Sequence, residues 1–231
     1  KPVLVFDSGD IFFLDSTKYN YETRKIHAEI IAKSHNLMNC NSLTPGHRDV
    51  SEFGLQYLKE LENMSGFDFV SSNIYDIKSN ERIFDEFHIE NIGDFKLAYL
   101  GATSVFQNPE TLIKEPIESI RSSVNKLSKQ SDFIVLLFNG TDKDLDRLQK
   151  SDIDIDIVLR SKSKGKNNSK ASTDGGKDRI PVFTSGNRGK YTNKIILKLK
   201  DSKAKLVDIA VQSKNISQSK KHLKNKKKGD L

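Results

Sequence analysis

At 231 residues the chain has room for one large domain, or one domain with an appendage. Its single cysteine excludes an internal disulfide, a Cys-rich zinc site and a haem-attachment motif. No apolar run reaches the roughly 18–20 residues needed to span a bilayer. The net charge of +7 conceals an asymmetry: residues 1–158 hold 17 basic and 26 acidic side chains, a net −9, whereas 159–231 hold 21 and 5, a net +16.

The first residues, KPVLVFDSGD, enter a strand pattern over Val3–Phe6 with no leader pattern. That fits a cytoplasmic protein, a mature form or a fragment. Asp7-Ser8-Gly9-Asp10 follows, placing acids just past the carboxyl end of a strand, where α/β proteins commonly build sites. Residues 22–38 carry Ile26, Ile30, Ile31, Leu37 and Met38 at helical spacing, and Cys40 next to them reads as a small core residue. Thr44-Pro45-Gly46 breaks the pattern, and a second helix is predicted from Ser51 with Phe53, Leu55, Tyr57, Leu58 and Leu61. Phe67–Ser72, Arg82–Ile89 and Phe95–Leu100 read as strands, the last two joined by a turn at Asn91–Asp94. Pro116–Ser128 reads as a helix with Ile117, Ile120, Val124 and Leu127 on one face. Phe133–Phe138 is a buried-strand run, Lys143–Gln149 a short helix, and Ile153–Leu159 a β-branched strand.

Residues 160–179 contain no large apolar side chain and read as a flexible loop. Ile180–Thr184 and Lys194–Leu199 are the next strands, with Lys205–Val211 as one more. The expected organisation is thus a domain over 1–211 and a basic tail over 212–231, which lacks a core face. Lysines this dense are usually solvated. No aromatic is interleaved with them, which argues against single-stranded nucleic acid as a partner.

A resemblance in order and spacing is carried by Gly9-Asp10 in VFDSGDIFF, residues 44–58 (TPGHRDVSEFGLQYL), Ser71-Ser72-Asn73-Ile74, Phe95–Ala102 (FKLAYLGA), residues 132–164 and the later Gly186-Asn187-Arg188-Gly189-Lys190-Tyr191. Over about residues 3–199 the chain resembles the N-terminal domain of the 5′-nucleotidase/UDP-sugar hydrolase branch of calcineurin-like metallophosphoesterases. The resemblance implies a four-layer α/β/β/α sandwich of two mixed sheets flanked by helices. It also implies that the family's first strand, with its Asp-x-His element, is missing from this sequence, and that the nucleoside-specificity domain has no counterpart here.

The family binds two metals whose ions activate a bridging water. Asp10 matches its bridging carboxylate. Where the family has Gly-Asn-His-Glu (or Asp), this chain has Gly46, His47, Arg48 and Asp49. Asn139 stands for a lone His, and Lys162 and Lys164 for the final Gly-His-x-His histidines. An ammonium cannot coordinate a cation and repels one nearby. No catalytic residue and no two-metal centre is therefore expected. Asp7, Asp10, His47 and Asp49 are the residual metal candidates, enough for at most one weakly bound divalent ion. Arg160, Lys162 and Lys164 are anion-binding candidates. The bland alternatives are a strand-end carboxylate capping backbone amides for Asp10, a loop histidine for His47, an Arg48–Asp49 ion pair fixing the loop, and a solvated basic loop. His27, His35, His88 and His222 read as surface or boundary residues.

The leading functional reading is a catalytically degenerate domain used for binding or assembly. Related degenerate proteins imply an exported complex with a multihaem cytochrome, and so a periplasmic or extracellular location. The alternatives are a residual metal-dependent phosphomonoesterase or nucleotide hydrolase, and a basic-tailed adaptor for anionic surfaces.

Overall fold

The computed structural model describes residues 2–13, 16–161, 180–185, 191–197 and 209–215. In chain order the elements are β1 (Phe6–Asp7), α1 (Tyr21–Leu37), β2 (Ser42–Leu43), α2 (His47–Phe53), α3 (Leu55–Ser65), β3 (Asp68–Phe69), β4 (Ile74–Asp76), β5 (Phe87–Ile92) and β6 (Phe95–Thr103). They continue with β7 (Thr111–Ile113), α4 (Pro116–Leu127), β8 (Phe133–Asn139), α5 (Asp142–Gln149), β9 (Ile157–Ser161), β10 (Val182–Phe183), β11 (Tyr191–Leu197) and β12 (Ile209–Asn215).

Two sheets form the centre. A parallel sheet runs β1-β2-β3, and a mixed sheet runs β10-β9-β8-β6-β5, antiparallel only at its β5–β6 edge. The β5–β6 turn falls at Gly93-Asp94, inside the predicted one. Two ribbons, β4-β7 and β11-β12, are antiparallel.

The strand period of two sorts side chains into layers. Leu97 and Tyr99 of β6, and Phe133, Val135 and Leu137 of β8, point inward to meet Val70, Phe6 and Leu4 from the parallel sheet's side, together with Ile195 and Leu197 of β11. Ala98, Leu100, Ala102, Ile134, Leu136 and Phe138 point the other way, onto Ile117, Ile120, Val124 and Leu127 of α4. On the far side of the parallel sheet, Leu43 and Phe69 pack under Ala28, Ala32, Val50, Leu58 and Leu61 of α1, α2 and α3. The order helix, sheet, sheet, helix is the four-layer sandwich expected. Each fully buried Leu or Phe contributes about 1.5–3 kcal/mol of transfer free energy to it.

Several boundaries differ from the sequence reading. Ile153 and Ile155 are buried but precede β9, which starts at Ile157. Arg82 makes a bridge to Tyr75 and is not in β5. Backbone pairing in β12 extends to Asn215, so the proposed boundary at 211/212 cuts a strand. In α1, Ile26, Ile30, Leu37 and Met38 are exposed, and the helix buries Ala28 and Ala32 instead. Small side chains let α1 approach α3 closely, and that contact outweighs the apolar stripe in setting the rotation of the helix. The loop of residues 160–179 is described only through Ser161, and the tail beyond Asn215 lies outside the described residues.

Candidate functional site

The carboxyl ends of β1 and β2 place Asp10 and the start of α2 together. After β1 the chain turns through Gly9 at φ +84° and Asp10 at φ +63°. A Cβ on Gly9 would strike Thr44 O and Gly46 N, so glycine is needed both for its dihedral and for backbone contact. Asp10 tolerates the left-handed region better than most residues.

Two interactions hold that conformation. Asp10 Oδ1 accepts the Arg48 N–H at 2.9 Å, capping the first turn of α2 from outside. The buried carboxylate of Asp49 accepts three backbone N–H groups: Asp10 at 2.6 Å, Gly46 at 2.9 Å and Phe12 at 2.9 Å. Gly46 and Asp49 make the N-cap and N3 positions of a capping arrangement. Burial, with the nearby Asp10 charge, pushes the Asp49 carboxyl up to about 7, against the pull of the three N–H bonds.

His47 therefore opens a helix and does not sit in a loop, and its ring lies 4.5 Å from that of Phe106. Arg48 is exposed, with its guanidinium carbon 4.8 Å from the centre of the Phe13 ring. The expected Arg48–Asp49 ion pair does not form: Asp49 points into the fold, where its oxygens meet backbone donors, and Arg48 points out. Adjacent residues on a helix diverge by about 100°, which leaves no shared direction.

Asn139, at the end of β8, is fully buried. Its Nδ2 donates to Ser8 O at 3.2 Å and to Ser161 Oγ at 2.7 Å, and the Ser161 hydroxyl donates to Ser8 O. A Cβ on Gly46 would collide with both Asp10 Oδ1 and the Asn139 amide. Asp10, Gly46 and Asn139 are thus brought together across the two sheets, as the linear order of motifs implied.

Arg160 is buried and its guanidinium is engaged. It donates to Gly140 O from Nε and Nη2 at 3.1 and 2.9 Å, and to Asp142 from Nη2. This strut ties β9 to the start of α5 and commits the Nε and Nη2 donors of the guanidinium. Lys162 and Lys164 lie outside the described residues.

Sequence reasoning missed two participants. Ser161, the last residue of β9, stands in the sequence only at the glycine position of the Gly-His-x-His resemblance, which gives its hydroxyl no role. His35 Nε2 lies 3.3 Å from Asp7 Oδ2, and Nδ1 donates to Ile31 O at 3.0 Å. Burial alone would push the imidazole down, but the Asp7 carboxylate outweighs it and raises the group above 6.5. The helical spacing of His27 and His35 gave no sign that His35 faces β1. Cys40 is buried as expected, its thiol pushed up to about 12, mainly by burial.

Among the described residues, no three His, Cys, Asp or Glu side chains converge. Asp7 faces His35, His47 faces Phe106, and Asp49 is enclosed by backbone donors. Asp10 and Asn139 share the space beside Gly46.

No protein-family model matches the chain, and no curated protein matches it by sequence. Solved structures do match. Sulfate thiohydrolase SoxB from Thermus thermophilus superposes with a TM-score of 0.74 at 18% identity, over 94% of this chain and 39% of that one. The calcineurin-like phosphoesterase YfkN from Bacillus subtilis gives 0.68 at 20% identity, over 94% and 78%. A 5′-nucleotidase precursor from Thermus thermophilus gives 0.70 at 16%, over 92% and 45%. The chain thus spans less than half of SoxB and of that nucleotidase. It has the fold of the calcineurin-like metallophosphoesterases and 5′-nucleotidases.

Proposed function

We propose that this domain keeps the metallophosphoesterase frame but uses it for binding or assembly, its former metal positions converted to structural ones. The observation that carries the reading is the Asn139 amide, buried at the end of β8 and bonded to Ser8 O and Ser161 Oγ. Where the related pattern has an imidazole aimed at a metal, this side chain joins the loop after β1 to the end of β9. Asp49 does the same for the loop after β1 and α2. The partner class in this reading is a protein, with a multihaem cytochrome in an exported complex as the specific candidate. An extracytoplasmic location is supported by the precursor status of one structural neighbour.

A second reading, a residual one-metal phosphomonoesterase, draws on Asn139 Oδ1, which is buried without a hydrogen-bond partner. With a free oxygen on Asp10 it could offer a divalent ion two oxygen ligands. Two ligands are few even for a zinc ion, which takes about four. The third reading, an adaptor for anionic surfaces, rests on the charge of residues 159–231 alone.

The deciding experiment is metal analysis by mass spectrometry after exposure to Mn²⁺ or Zn²⁺, paired with turnover of p-nitrophenyl phosphate and adenosine monophosphate. The binding reading expects substoichiometric metal and no turnover above that of Asp10→Ala. One bound ion with turnover that Asp10→Ala abolishes establishes the second reading instead. Two bound ions with such turnover overturn both.

A further inference from the structure

A cavity of about 300 Å³ opens between β4, the segment leading to β5, and the first turns of α4. It shares no lining residue with the group around Gly46, and the inference drawn from it does not rest on the binding reading above. Its volume is at the lower end for small-molecule sites. Tyr75, Arg82, Glu86, Lys114, Glu115 and Glu118 supply its chemistry.

Most of these charges are already matched. Glu86 takes both oxygens to Lys126 at 2.8 Å, accepts from Ser123 at 2.7 Å and meets Arg82 at 3.2 Å. Burial would push its carboxyl up, but these partners hold it below the ordinary range. Glu115 accepts from Arg147 at 2.7 Å and caps α4 through the Glu118 N–H. Arg82 divides itself between Glu86 and the Tyr75 hydroxyl, to which it donates at 3.0 Å.

Two charges remain. The Lys114 ammonium rests 3.5 Å from the centre of the Tyr75 ring, with no carboxylate at ion-pair distance among the described residues. Cation–π contact holds a cation in place without neutralising it. The Glu118 carboxylate is 72% exposed and meets Arg121 only at 4.0 Å. Lys114 and Glu118 line one cavity without pairing, one bound to an aromatic face and the other on the rim.

A cavity with one unmatched cation and one weakly matched anion is complementary to a ligand that carries both signs. We infer that it binds a small zwitterion of the amino-acid class, with the ligand carboxylate on Lys114 and its ammonium on Glu118. A phosphate or polycarboxylate would meet the glutamates at excess negative charge, and a simple amine would leave Lys114 unmatched.

The test is ¹H–¹⁵N chemical-shift titration of the whole chain with the standard amino acids one at a time, and with acetate, methylammonium and inorganic phosphate as controls. At least one amino acid is expected to shift the amides of residues 75, 82 and 114–119, and to bind at least about tenfold more tightly than acetate or methylammonium. Lys114→Met and Glu118→Gln are each expected to weaken it about tenfold, the worth of one charge-assisted hydrogen bond. Both variants should keep the native spectrum elsewhere, since neither side chain is in the core. Acetate or phosphate binding as tightly as any amino acid would overturn the assignment. So would the absence of any shift at millimolar amino acid, or undiminished binding by folded Lys114→Met.

Discussion

Asp49 Oδ2 accepts the backbone N–H of Asp10 at 2.6 Å, so a side chain of α2 fixes a residue that stands at φ +63° in the loop after β1. The same carboxylate takes the N–H groups of Gly46 and Phe12. One buried carboxylate of α2 thus collects three backbone donors.

Asp49→Asn tests that role through pH. The Asp49 carboxyl stands near 7 in the folded chain against 3.8 when unfolded. Between those values the folded state holds a proton that the unfolded state has released, so stability falls as pH rises across the window. The advantage of the native chain over Asp49→Asn in urea unfolding should shrink from about pH 4 to about pH 7. Asp49→Ala should cost about 3 kcal/mol or more, since it strands three donors in the interior. A pH-independent gap between native chain and Asn variant would refute the titration.

Gly46→Ala tests the convergence of the two sheets. An added methyl group would meet Asp10 Oδ1 and the fully buried Asn139 amide. Overpacking of this kind costs about 1–3 kcal/mol. Gly46 has φ −92°, so the loss would be steric and not conformational. A melting temperature equal to that of the native chain would show that the space beside Gly46 is open.

His35 should titrate above 6.5 when its ring proton is followed by NMR, and the midpoint should fall in Asp7→Asn. Stability contributed by the pair is full below 6.5 and fades as pH climbs through the raised midpoint. An unmoved midpoint in Asp7→Asn would assign the shift to the Ile31 carbonyl.

Truncation after Asn215 removes six lysines and one aspartate, and leaves β12 intact. The melting temperature should stay within experimental error of the full chain. Retention on an anionic matrix should weaken, and the difference should vanish as salt rises past physiological strength, where screening acts within about 8 Å. A truncated chain that unfolds would mean that residues beyond Asn215 complete the core.

The legible part of this protein was what local chemistry encodes. Phe133–Phe138 suited a buried strand, Pro116 and the Ile117-Ile120-Val124-Leu127 spacing an inward-facing helix, and the order of weak motifs implied the four-layer fold. Asn139, Lys162 and Lys164 were visible in the sequence as the residues standing at the histidine positions of the resemblance. What tertiary structure decided was direction and company. Ile26 and Ile30 had the right period but face solvent, because α1 meets α3 through its alanines. Arg48 and Asp49 had the right charges to pair, yet point apart, one onto Phe13 and the other into a ring of backbone donors. Arg160 had the right chemistry for an anion and is bonded to Gly140 O and Asp142. Lys114 and Tyr75, 39 positions apart, carried no shared signal at all. A residue's period and charge are properties of the chain, but which neighbour satisfies them depends on contacts between distant segments, and those exist only once the sheets have packed.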